Sequence, residues 1–221
     1  MDWLTGKEAD ARLAEAWKTV HAEPAAAQQI THILTMPPPG APWILRSRAY
    51  GPWADNDFEP DEDTWLAFGR EASQWPYVRE AQRAMREGVP NIRVLAVKRA
   101  AWEARPPWLA YLTEVHFPAT AALAGEAFYR VWAEECWTVS PVLLANHDVN
   151  IWGAGGVMLT GYDSWGDVSH RAFPDKEQDR EAYYLAWDYA TTMRDLAITR
   201  GELVRLPTSA QRIIRQAANE W

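Results

Sequence analysis

His147 and Asp148 stand side by side in a segment whose apolar neighbours mark it as a strand. An imidazole beside a carboxylate is the usual material of acid–base chemistry, because histidine titrates near neutral pH. Consecutive strand residues point to opposite faces, so these two do not relay a proton to each other. A structural histidine is therefore the better reading of His147. An enzyme reading keeps it as the general base, with His147, Asp148, Glu126 and Arg130 converging in a cleft that takes a small molecule or a phosphate ester. A ligand-binding reading draws instead on Glu114, Glu126, Arg130, Asp148, Tyr162 and Asp163. These come from neighbouring elements, several of them at strand ends, where α/β folds place ligands. Against it stand two plain alternatives: a structural ion pair between Glu126 and Arg130, and a simple turn at Tyr162-Asp163.

The remaining chemical signatures fail on spacing. The histidines His21, His32, His116, His147 and His170 are scattered, and no paired cysteine or H-E-x-x-H occurs, so no metal or cofactor is expected. Gly153-Ala154-Gly155-Gly156 is followed by a strand rather than a helix, which removes the dinucleotide-loop reading. No phosphate-binding P-loop and no G-x-S-x-G elbow is found. The acidic run from Asp55 to Asp63 lacks the EF-hand turn glycine, since Pro60 holds its place, and Leu66 stands where the bidentate Glu belongs. Acidic residues ahead of Trp65 instead complement the positive end of a helix starting there. The single cysteine, Cys136, lies beside Glu134 and Glu135, which raise a thiol pKa, so it reads as a buried structural thiol.

Composition narrows the classes further. Hydrophobic residues at 48% and charged residues at 24% are globular proportions, and 221 residues can bury a core without disulfides. A net charge of −8 gives no counter-ion advantage on nucleic acid or an anionic membrane, so neither is an expected partner. The longest uncharged stretch, Pro24 to Leu45, is broken by Pro37-Pro38-Pro39-Gly40 and cannot span a bilayer as a helix. With no signal peptide and a lone cysteine, a cytoplasmic location is expected. Fourteen tryptophans, scattered from Trp3 to Trp221, read first as core and interface and second as aromatic platforms.

Periodicity predicts the elements that carry these residues. Helices are expected over Lys7–His21, Ala25–Leu34, Thr64–Ser73, Pro76–Glu87, Pro107–Ala124 (kinked or split by Pro118), Glu177–Ile198 and Ser209–Trp221. Strands are expected near Trp43–Arg48 and over Ile92–Val97, Phe128–Glu134, Pro141–Trp152 and Val157–Tyr162. The last two form a hairpin, and strand–helix–strand from Ile92 to Glu134 suggests a parallel pair with a right-handed crossover. The fold class is α/β or α+β: a mixed sheet of about four to six strands flanked by helices, lying in the second half of the chain. The expected divisions are a helical, Pro-rich N-terminal extension over 1–55, an α/β core over 56–200 and a helical tail over 201–221.

Residues from about Trp75 to Thr199 resemble the actinobacterial domain-of-unknown-function family DUF 6879. The resemblance rests on Trp75 to Gly88 followed by Ile92-Arg93-Val94-Leu95-Ala96-Val97, then Tyr111-Leu112, Glu114, Ala124-Gly125-Glu126 and Arg130. Asp148-Val149-Asn150-Ile151, Tyr162-Asp163, Gly166, Tyr183, Asp188 and Ala190 continue it at the family's intervals. Departures are Pro118 in place of an aromatic residue, Val149-Asn150 in place of an aromatic pair, and Trp187 in place of an arginine. The resemblance implies a partner or sensor half of a helix-turn-helix regulatory system. More distantly, the strand order is similar to one lobe of the phospholipase D-like fold. The H-x-K that such enzymes need is missing after all five histidines, and Asp148 and Asn150 occupy its place. The expected function is thus a non-enzymatic regulatory or ligand-sensing protein that acts through a protein partner, a helix-turn-helix regulator.

Overall fold

The structure is a computed structural model that describes residues 1–22, 30–34, 60–104, 109, 111–135, 147–153, 155–162 and 168–219, with 30–34, 111, 162 and 168 described by their backbone. Eight strands form one mixed sheet among them: β1 (Trp3–Leu4), β2 (Ile30–Leu34), β3 (Asn91–Val97), β4 (Ala127–Trp132), β5 (His147–Trp152), β6 (Gly156–Tyr162), β7 (Val168–Ala172) and β8 (Glu202–Leu203). Their order is β1-β7-β6-β5-β2-β3-β4-β8. The three central strands β2, β3 and β4 run parallel, and every other pairing is antiparallel. The helices are α1 (Gly6–Ala22), α2 (Glu62–Ala72), α3 (Pro76–Arg86), α4 (Arg99–Ala104), α5 (Phe117–Ala124), α6 (Arg180–Arg200) and α7 (Thr208–Asn219). A π-helical turn, Tyr111–His116, leads into α5.

Side chains alternate across the sheet and build two unlike layers. On one face Ile92, Val94, Val131, Val149, Ile151, Val157 and Leu159 pack against Tyr183, Ala186, Ala190 and Met193 of α6. On the other, Trp152 and Met158 meet α1 through Trp17 and Val20, while Leu95 and Phe128 meet α5 through Phe117 and Ala121. Beyond α5, a further cluster joins Trp65, Phe68 and Ala72 of α2 to Ala210 and Ile214 of α7.

Local signals explain the element ends. Asp61 caps α2 by accepting from the Thr64 N–H at 2.9 Å, with Glu62 and Asp63 in the first turn, as the acidic run predicts. Pro76 opens α3, and Pro118 sits in the first turn of α5, where its missing N–H costs nothing; the π-helical turn before it is the predicted split. In the β5–β6 hairpin Gly155 takes φ 86°, a conformation that glycine adopts without penalty.

Three expectations are corrected. Residues 30–34 form a strand rather than the end of a helix. Ile30, Thr31 and Ile33 are β-branched, and β2 pairs with β3 on one side and β5 on the other, so tertiary pairing overrides a short helical pattern. The sheet is accordingly not confined to the second half of the chain. The division at residue 55 also fails for the described residues, because β1 and β2 belong to the same sheet as the rest. Strands β1, β7 and β8 and helix α4 were not expected. The expected strand at Trp43–Arg48, residues 25–29 of the expected second helix, and Cys136 lie outside the described residues. Among the described residues no helix is long and apolar enough to cross a membrane.

The C-terminal helix is part of the packed body, and Gly69 is where this is tightest. A Cβ there would lie 2.6 Å from the Ile214 carbonyl oxygen and 3.0 Å from the Ala217 Cβ. Gly69→Ala is expected to separate α2 from α7 and to lower stability by about 1–3 kcal/mol in chemical denaturation, although alanine favours helix.

Candidate functional site

The sheet face that carries α1, α3 and α5 holds an unusual number of buried polar side chains: Asn91, Arg93, Arg130, Asp148, Asn150 and Thr160. Strand register explains why they share it. Arg93 and Asn150 both pair with the backbone of His32 in β2, and Asp148 pairs with Thr160, so these residues form cross-sheet rows.

Arg93 is the centre. Its Nε lies 2.9 Å from Glu126 Oε2, with both side chains almost wholly buried. One terminal nitrogen donates to Thr120 Oγ1 at 2.8 Å, and the guanidinium stands 5.2 Å over the Tyr77 ring. The Tyr77 hydroxyl donates to the other Glu126 oxygen. The network thus ties β3, the start of β4, α3 and α5 into one unit. Burial opposes the charge on Arg93, but Glu126, Tyr77 and Asp148 outweigh it and hold the guanidinium protonated. Burial first, then Glu126, pushes the Tyr77 phenol well above its ordinary range against the pull of Arg93, so it stays a donor.

His116 sits nearby against Phe68, Trp75 and Phe117, with ring centroids 5.9, 5.5 and 5.4 Å away. Burial, helped by the charge of Arg93, lowers its pKa to about 4. It is therefore neutral at pH 7 and acts as part of an aromatic wall. His21 plays a different structural part: its Nε2 lies 3.0 Å from Glu80 and its Nδ1 contacts Glu87, clamping α1 to α3. The Glu87 carboxyl is held below its usual range by the hydrogen bond from His21 and then by Arg83.

The second group lies at the carboxyl edge of the parallel strands. Arg130 pairs with Glu202 of β8 and sits in the corner of two indoles set 75° apart, its guanidinium carbon 3.7 Å from the Trp102 ring centroid and 4.7 Å from that of Trp132. Arg99 approaches the same Trp132 ring at 4.5 Å and reaches Glu135 at 2.9 Å. Because β5 runs antiparallel to β2, its first residues His147 and Asp148 lie at this edge, as does the end of β6 at Tyr162.

The residues expected to act together are thereby separated. Glu126 pairs with Arg93, and Arg130 with Glu202, so the anticipated Glu126–Arg130 ion pair does not form. His147 shares the α6 face with Val149, whereas Asp148, Glu126 and Arg130 belong to the opposite side, so the four do not converge. Glu114 is exposed on the π-helical turn, Tyr162 is placed by its backbone, and Asp163 lies outside the described residues. Arg93, Tyr77, Trp102 and Trp132 were not singled out from the sequence. The signal for Arg93 was a charge at an inward-facing position of an otherwise apolar strand, which demands a buried partner.

No family model, curated protein or solved structure matches the chain. Among the described residues no group of three or more His, Cys, Asp or Glu side chains is placed to hold a metal ion.

Two outcomes follow from this geometry. Removing one member of the buried pair strands the other, so Glu126→Ala should cost about 3–5 kcal/mol in urea unfolding, whereas the double change Arg93→Met with Glu126→Leu should cost less. His116 binds a proton more readily when unfolded, so its contribution is full above its unfolded pKa and is lost as pH falls from about 6.5 to about 4. Allowing for its partial exposure, replacing it by Phe should remove about 2 kcal/mol of acid destabilisation over that window, read from thermal denaturation at stepped pH.

Proposed function

We propose that the chain is a non-enzymatic, ligand-sensing regulatory protein whose ligand is an anion seated on Arg130 and whose output is a protein partner of the helix-turn-helix regulator class. The observation that carries the reading is the asymmetry around Arg130. Two indoles at 75° to each other hold the guanidinium in their corner, at about 0.5–2 kcal/mol each. Its ionic partner is Glu202, 63% exposed on a two-residue edge strand, and such surface pairs contribute about 0–1 kcal/mol. A carboxylate or phosphate that matches the guanidinium fork can exchange with Glu202 while Arg130 stays in place. Arg99, half-exposed and 4.5 Å from the same Trp132 ring, adds a second cation to this neighbourhood.

The exchange has a route outward. Beyond Glu202 the Val204 N–H bonds the Phe128 carbonyl at 2.9 Å, and buried Leu206 leads into α7, which packs on α2. Releasing Glu202 therefore loosens the start of a C-terminal hook whose far end rests on another layer of the protein. The partner class comes from the resemblance of residues 75–199 to DUF 6879. Fixed charges support binding rather than acid–base turnover: Arg93 is neutralised internally, and His116 is uncharged at neutral pH.

Calorimetric titration with citrate, inorganic phosphate and a nucleoside triphosphate tests this. At least one should bind with a stoichiometry of one, Arg130→Gln should abolish binding, and Glu202→Gln should tighten it up to about fivefold by removing the internal competitor. Binding that survives Arg130→Gln, or no binding by any of the three, would overturn the assignment. Co-purification from the native host should yield a stoichiometric helix-turn-helix protein; a chain recovered alone would remove the partner from the reading.

A further inference from the structure

On the sheet face opposite to the arginines, β5, β6 and β7 bring two distant histidines together. His147 and His170 each pair in register with Gly161, one from either side. Outer strands of such a triplet stand roughly 9–10 Å apart, and a side chain on the middle strand would fill the gap. Gly161 has none, and a Cβ there would overlap the His170 ring. The two imidazoles consequently meet above it, Nε2 to Nε2 at 3.2 Å.

We propose that His147 and His170 form a chelating site for a divalent transition-metal ion of the zinc type, bound through the two Nε2 atoms. The separation itself supports this. Two nitrogens each 2.0–2.1 Å from one ion, subtending roughly 100°, lie about 3.2 Å apart. The rings are also held from behind. The Ser169 hydroxyl lies 2.6 Å from His170 Nδ1 and contacts the Gly161 carbonyl at 3.3 Å, the type of outer contact that fixes a ligating imidazole. Trp3 of β1 stacks on His147 at 4.7 Å and 24°, and meets His170 edge-on at the same distance. With two protein nitrogens the ion keeps open positions for water or an added donor. Imidazole favours zinc, nickel and copper over magnesium or calcium.

This site is independent of the Arg130 reading, lying on the other face of the sheet, and the two stand or fall separately. The test uses the full chain after chelator treatment, titrated with Zn²⁺ and, as a control, Mg²⁺. One saturable Zn²⁺ site is expected, with no Mg²⁺ binding. His147→Asn and His170→Asn should each weaken Zn²⁺ at least about tenfold, and Ser169→Ala by a smaller factor. Gly161→Ala keeps both ligands and should still weaken the ion, because the added methyl group drives the rings apart. Because any of these variants can lose stability, each is compared by its Zn²⁺-induced rise in melting temperature, which should vanish in the histidine variants even where the fold survives. Zn²⁺ affinity unchanged in both histidine variants, or no Zn²⁺ binding by the intact chain, would overturn the proposal.

Discussion

The ion pair between Arg93 and Glu126 is the constraint on which much of the molecule turns. A guanidinium in the middle of a buried parallel strand is untenable alone, since an uncompensated buried charge costs several kcal/mol. Its compensation comes from three places: Glu126 at the turn before β4, Tyr77 on α3 and Thr120 on α5. Helices that cover this face are therefore fixed by a directional network as well as by apolar burial. Burial keeps His116 neutral within its aromatic wall, and the same charge adds to that effect.

With that face locked, the adjustable charges are left at its rim. Arg130 stands two residues beyond Phe128, the β4 residue opposite Arg93, and is partnered by an exposed carboxylate on an edge strand. One arginine is a structural bolt, and the other is the contact we propose to be exchanged for ligand. The difference follows from position in the sheet: interior register for Arg93, the carboxyl edge for Arg130, where α/β sheets present ligand sites. The α6 face uses a different device, in which a glycine on the middle strand lets two histidines close over it.

Much of this architecture was legible in the residues. The long periodic helices, the β3–β4 parallel pair and the β5–β6 hairpin are local patterns, and local patterns survive folding. Strand β2 was misread as helix because five residues are too few for periodicity to decide, and its identity is set by neighbours far away in sequence. Edge strands of two residues carry no pattern at all. Site residues fared less evenly. Arg130 was among the candidates, but its partner was not foreseen, because pairing depends on register: Glu126 turns to Arg93 rather than to Arg130. The His147–His170 pair was invisible for the same reason, since it needs β7 and the alignment of both histidines on Gly161. Asp148 and His147 were correctly separated by strand alternation alone.

The measurement that tests the account most directly is amide hydrogen exchange across the whole chain, with and without saturating citrate, phosphate or nucleoside triphosphate, in the native protein and in Arg130→Gln. The account predicts that the anion that binds slows exchange in β4 around Arg130 and speeds it at Glu202–Leu203 and the first turn of α7, and that Arg130→Gln shows neither change. An anion-induced pattern that leaves β8 and α7 untouched, or that persists in Arg130→Gln, would contradict the exchange of Glu202 for ligand as the basis of sensing.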